Sequence, residues 1–154
     1  MDDRRIMCYD KDLLSWAEQQ AAHLRSGNQS DLDFEYLREF LEDVADHEKL
    51  AAQQALFGIL LRLLKLQQSA VTDSAWTNET TELRYGLLSR IERSPSLMSH
   101  VPALFDRAWD QARDAAKKYF DTRSETVAIP RDCLCTLAQA MDVDFLPAGE
   151  RRKP

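Results

Sequence analysis

Glycine and proline are scarce, four and five in 154 residues, so a fold assembled from many tight turns is excluded and long helices are expected. Only three cysteines occur, Cys8, Cys133 and Cys135. An odd, small number speaks against a disulfide framework and fits thiols kept reduced. No apolar run reaches the ~20 residues needed to cross a bilayer, and the opening MDDRRIMCYDKD has no apolar signal-peptide core. A cytoplasmic protein with no membrane segment is expected. Concentrated basic charge is also missing: the net charge is −6, its acidic excess lies in the first half, and the one basic cluster is Arg151-Arg152-Lys153. Gripping a phosphate backbone needs a basic surface, so nucleic acid is not an expected partner. Nor is there a glycine-rich phosphate loop, a Gly-x-Ser-x-Gly elbow or a His-Glu-x-x-His pair, the common signatures of kinases, hydrolases and metalloproteases.

What the chain does have is ALFGILLRLLKLQQ, Ala55 to Gln68. Each residue of a helix turns the direction by about 100°, so its leucines, Ile59 and Phe57 point to nearly every side and must be covered by neighbours. The exceptions, Gln54, Gly58, Arg62, Lys65 and Ser69, recur at helical spacing on one narrow stripe. That stripe is the side expected to meet water, and Arg62 and Lys65 on it form a candidate partner surface. The ordinary alternative is that both long side chains simply snorkel to solvent.

Around this element the spacing predicts an all-α bundle of four principal helices with a short C-terminal helical segment packed on it. One domain is expected over residues 1–147, with 148–154 a disordered tail. Asp10 or Asp12 can cap the first helix and Gly27 can end it; Leu13, Trp16, Ala17, Gln20 and Leu24 share one side, Trp16 as a core anchor. Asp33 can cap the second, whose apolar positions are Leu37, Leu41, Val44 and Ala51. Without a proline from Phe34 to Gln68, it can run unbroken for ~50 Å at 1.5 Å per residue, or bend near Asp46 to Lys49, where Glu48 interrupts the stripe. Thr72, Asp73 or Ser74 caps a third helix ending at Ser94-Pro95, with Trp76, Thr80, Leu83, Leu87 and Ile91 in line. The fourth shows Leu97, Val101, Leu104, Ala108, Ala112, Ala115 and Tyr119 on one face, with Pro102 tolerable in its first turn. Thr136 to Met141 has room for one or two turns.

Taken in order, Tyr9-Asp10, Asp12, Trp16-Ala17, Leu24-Arg25-Ser26-Gly27, Leu32-Asp33, Leu37, Glu42-Asp43, Leu63-Leu64-Lys65, Gln67 and Ala75-Trp76 resemble a bacterial family. Ser94-Pro95-Ser96-Leu97, Ala112-Arg113, Glu125-Thr126, Ile129-Pro130, Cys133 and Asp144-Phe145-Leu146-Pro147 extend the likeness along nearly the whole chain. The family is the one catalogued as domain of unknown function number twenty-nine. Its pattern has histidine before Leu-Leu-Lys, tryptophan after it and Cys-Pro in the tail, where this chain has Arg62, Leu66 and Cys133-Leu134. The resemblance implies an all-helical bundle found mostly in cyanobacteria and proteobacteria, and implies no activity.

One polar constellation invites a metal: Glu39, Glu42, Asp43, Asp46 and His47, with Glu48, hold pairs four apart that a helix sets side by side. Carboxylates and histidine on bundle helices can bind two metal ions, but through a Glu-x-x-His motif that is absent here. A solvated acidic face is the ordinary reading of such a run, with His23 and His100 the only further histidines. Cys133-Leu134-Cys135 is one ligand pair where zinc sites show two; buried thiols are the ordinary reading, redox sensing the other. The expectation is therefore a non-enzymatic interaction or regulatory module without a cofactor, binding a protein partner or forming a homo-oligomer. The alternative is a metal-dependent enzyme using a transition metal on the acidic cluster.

Overall fold

The computed structural model describes residues 12–69 and 73–148. Cys8, Asp10, Thr72 and most of the expected tail lie outside the described residues. The helices are α1 (Leu13–Ser26), α2 (Phe34–Gln68), α3 (Ser74–Arg93), α4 (Val101–Asp121) and α5 (Leu137–Met141). Short 3-10 turns occupy Gln29–Asp31 and Pro95–Ser99, and no strand occurs among the described residues. This is the expected all-α architecture of four long helices and a short one. α2 runs as one helix from Phe34 to Gln68, the unbroken length the absence of proline allowed.

Local chemistry sets the helix ends. Asp12 accepts the Ser15 amide at 2.9 Å, and Asp73 accepts that of Ala75 at 2.9 Å, each satisfying a first-turn N–H that has no helical partner. Gly27 closes α1 in the left-handed region, φ 70°, while the Asn28 amide returns to the His23 carbonyl at 3.0 Å. Thr136 and Gln139 form a reciprocal capping box that lets so short a helix as α5 exist. Pro102 sits in the first turn of α4, where its missing N–H costs nothing.

Packing divides the chain into two compact units, Met1–Asp46 and His47–Pro154. In the first, Trp16 is buried and its ring lies 5.9 Å from that of Phe40. Buried Gln20 uses its side-chain oxygen to accept the Asp33 amide at 2.8 Å, tying α1 to the start of α2. The apolar stripe of α1 is shorter than expected: Leu13 and Leu24 are exposed because only the middle of the helix is covered. Leu41 and Val44 are likewise exposed, since residues 41–47 of α2 face solvent on every side.

In the second unit Leu56, Ile59, Leu60, Leu63 and Leu64 of α2 are wholly inaccessible, as are Val101, Ala108, Ala112 and Ala116 of α4. Each such leucine contributes roughly 1.5–3 kcal/mol of transfer free energy. The alanines, four apart, form a smooth ridge that lets α4 pack closely. Its buried face continues to Ala116 and Phe120, with Ala115 and Tyr119 only half-buried, and it widens to include Phe105 and Trp109. The expected fourth-helix stripe therefore drifts by one residue in its last two turns.

The water-facing stripe of α2 is a correction. Gly58 and Ser69 are buried, Arg62 and Lys65 half-buried, and Gln54 alone is exposed. The reason is α3, which crosses that side so closely that a Cβ on Gly58 would stand 2.7 Å from Leu83 Cδ1.

Beyond α4 only α5 is regular, and side chains of α3 and α4 take carbonyls of the segment around and within it. Trp109 Nε1 donates to Arg131 at 3.1 Å and Arg113 Nε to Pro130 at 2.9 Å. Arg84 on α3, 0% exposed, donates to Ala140 at 2.8 Å, Phe145 at 2.9 Å and Gln139 at 3.3 Å.

Candidate functional site

Glu39, Glu42, Asp43, Asp46 and His47 are all exposed on α2. Glu42 receives Arg38 on both oxygens, at 3.0 and 2.9 Å, and half-buried Glu48 receives Arg90 on both at 2.9 Å. Among the described residues no group of three or more histidine, cysteine, aspartate or glutamate side chains could hold a metal ion, His23 and His100 included. The acidic run lies along one helix, α2.

Arg62 and Lys65 are brought into a cluster. One helical turn apart on α2, they face the start of α3 and the end of α4. Arg62 donates through Nε to Glu79 and through Nη1 to the Gly58 carbonyl at 3.1 Å. The Lys65 ammonium stands 3.9 Å from the centre of the Tyr119 ring and 5.6 Å from that of Trp76. Arg123 meets the same Tyr119 ring at 3.8 Å, and Tyr119 packs edge-on to Trp76 with centroids 6.1 Å apart. Two cations on one aromatic ring are each attracted by its negative face.

Electrostatically the cluster is under-neutralised. Burial lowers the Lys65 pKa from its usual 10.5, and the positive charges of Arg62 and Arg123 push it in the same direction. Glu79 alone opposes them, and it is shared with Arg62. Among the described residues, Arg62, Lys65 and Arg123 with Glu79, set against two aromatic rings, make a place for an anionic group that also offers an apolar or aromatic surface. Beside it, α2 and α3 leave an open groove of about 480 Å³, floored by Ala51, Ala55, Leu83 and Gly86 and edged by Arg62, Glu79, Glu82 and Arg90.

The sequence profile of "Domain of unknown function DUF29" matches residues 8–146. The chain belongs to the DUF29 family. Comparisons with curated proteins and with solved structures gave no match. Membership accords with the resemblance drawn from the residues and brings no activity with it. Among the described residues of this DUF29 chain, no helix is long and apolar enough to cross a membrane.

Sequence reasoning singled out Arg62 and Lys65 and missed what surrounds them. Trp76 and Tyr119 sit at apolar positions of α3 and α4 and pass for core. Glu79 and Arg123 occupy charged positions with no periodic distinction. A signal was present all the same: Leu63-Leu64-Lys65 and Ala75-Trp76 are both segments on which the DUF29 resemblance rests, and the structure sets Lys65 over Trp76.

Proposed function

We propose that this DUF29 chain is a non-enzymatic, cytoplasmic bacterial interaction module whose Lys65–Tyr119–Trp76 face, with Arg62 and Arg123, receives an acidic segment of a protein partner. The observation that carries the reading is the excess of positive charge held against aromatic rings on a chain whose net charge is −6. A local cationic spot on an acidic protein steers and orients a negatively charged partner and repels unsuited ones. Tyrosine, tryptophan and arginine are also the residues that most often anchor interfaces. A second copy of the chain carries a suitable acidic stretch in Glu39–Glu48, so self-association is one source of the partner.

The experiment is a titration of isotopically labelled protein with glutamate-rich peptides containing one aromatic residue, followed by NMR, beside sedimentation of the protein alone. Shifts centred on Lys65, Trp76, Tyr119 and Arg123, abolished in Lys65→Gln/Arg123→Gln, are expected. Equal binding by that variant, or shifts confined to other surfaces, would sink the proposal. Concentration-dependent dimerisation lost in the same variant identifies the second copy as the acidic partner.

A further inference from the structure

Cys133 and Cys135 stand apart from the cationic face and enter no part of the proposed function. They flank Leu134 where the chain bends, at Leu134 and Cys135, just before the Thr136 cap of α5. In extended chain, residues two apart share one side, but their Cβ atoms stand well separated along the strand. The bend shortens that span, and the Cys135 thiol donates a hydrogen bond to the Cys133 sulfur. The two are unlike in access: Cys133 is half-buried and Cys135 is buried.

The contact divides their chemistry. Cys135's hydrogen bond stabilises a thiolate on Cys133, and with help from the Cys135 and Leu134 amides it brings the pKa down to about 7 against desolvation and the nearby Asp106. The same bond, together with burial, holds the proton on Cys135 and raises its pKa, while the Arg84 guanidinium pulls the other way. Redox-sensing cysteines are accessible thiolates, often set beside a second, resolving thiol.

We propose that Cys133 and Cys135 form a dithiol that a hydroperoxide converts into a disulfide, with Cys133 the accessible sulfur oxidised first and Cys135 the buried sulfur that closes the bond. The Cys133 thiolate attacks one peroxide oxygen, the O–O bond breaks, and the leaving hydroxide takes a proton to become water. Cys133 is now a sulfenic acid, and the thiolate that held the Cys135 proton is gone. The Cys135 sulfur, favoured as thiolate by Arg84, attacks the Cys133 sulfur. The S–O bond breaks and the departing hydroxide takes up the Cys135 proton as a second water. Two thiols and one hydrogen peroxide thus give one disulfide and two waters, the sulfurs being oxidised and the peroxide reduced.

The test uses the full chain carrying Cys8→Ser, treated with hydrogen peroxide, alkylated with iodoacetamide and mapped by mass spectrometry on the tryptic peptide Asp132–Arg151. Loss of both thiols together, with the mass lower by two hydrogens and restored by dithiothreitol, is expected. Adding Cys135→Ser leaves a Cys133 sulfenic acid that dimedone traps. Adding Cys133→Ser leaves Cys135 unoxidised. Alkylation of Cys133 in untreated protein reaches half its limiting rate near pH 7. At neutral pH its thiolate fraction is then roughly fifteen-fold that of a free cysteine of pKa near 8.5. Cys133 driven to sulfinic acid while Cys135 still alkylates, or equal oxidation of Cys135 in Cys133→Ser, would overturn the proposal.

Discussion

Replacing Arg84 with methionine tests whether one buried side chain holds the C-terminal segment. The guanidinium donates to Ala140 and Phe145 at 2.8 and 2.9 Å and to Gln139 at 3.3 Å. Burial lowers its pKa from the usual value, an effect that the Asp142 carboxylate opposes. Hydrogen bonds to a charged donor are worth about 1.5–3 kcal/mol each, and a buried carbonyl left without a donor costs about 1–3 kcal/mol. Two short bonds and one long one therefore set the gross loss at roughly 3–6 kcal/mol. These bond values are already net of desolvating the guanidinium, and methionine fills part of the space, so the expectation lies near the lower end, ~3 kcal/mol. That is a large part of the roughly 5–15 kcal/mol typical of a domain.

The assay is urea unfolding combined with amide hydrogen exchange. If the carbonyls stay buried, the midpoint falls at unchanged slope; if the segment lifts to wet them, the slope falls and protection over 137–145 is lost while α2 and α4 keep theirs. Arg84→Lys keeps the charge but not the fork, so it should recover less than half of the loss. A methionine variant within about 0.5 kcal/mol of the parent, the range of ordinary surface changes, with residues 137–145 still protected, would refute the reasoning.

Two glycines on facing helices should respond oppositely to alanine. Gly86 is exposed with open space around a new Cβ, so Gly86→Ala should raise stability by about 0.4–1 kcal/mol, read as a higher urea midpoint. Gly58→Ala places its methyl 2.7 Å from Leu83 Cδ1 and should lower stability by about 1 kcal/mol as Leu83 shifts. Ser124 holds φ 55° where α4 ends, a left-handed conformation that costs a non-glycine residue about 1 kcal/mol, so Ser124→Gly should raise the melting temperature. Lys65 supplies the pH dependence. Its folded pKa is below the unfolded value, so the unfolded chain binds more protons between the two and stability rises with pH in that window. Relative to Lys65→Met, the parent should therefore gain stability as pH climbs towards 10.5 and show its full deficit from burial below the folded pKa. A parent-minus-variant difference flat in pH would contradict this.

How much of the molecule the sequence declared can be judged at individual residues. Asp12, Asp33, Asp73, Thr136 and Gly27 announce helix ends because a cap acts on amides and carbonyls within four residues of itself. The leucines of α2 declare a buried helix because so apolar a surface has no other stable place. The metal alternative drew on the same local logic, for residues four apart on a helix are always neighbours. A metal site also needs ligands from a facing element, and among the described residues none are gathered for it.

Periodicity fails where the neighbour decides. The Gln54–Ser69 stripe is polar enough to face water, yet α3 lies over it, since Gly58 admits Leu83 and Arg62 finds Glu79 there. Leu41 and Val44 are apolar enough to be core and stay exposed. By itself, then, the sequence determined the helices, their ends, the apolar heart of α2 and the family, all of which follow from local hydrogen bonding, capping and the cost of wetting hydrocarbon. Only the tertiary structure decided that Arg84 is buried and that Lys65 and Arg123 share the Tyr119 ring. A charged side chain's surroundings are set by residues tens of positions away, whose approach depends on how whole helices pack and leaves no period in the chain.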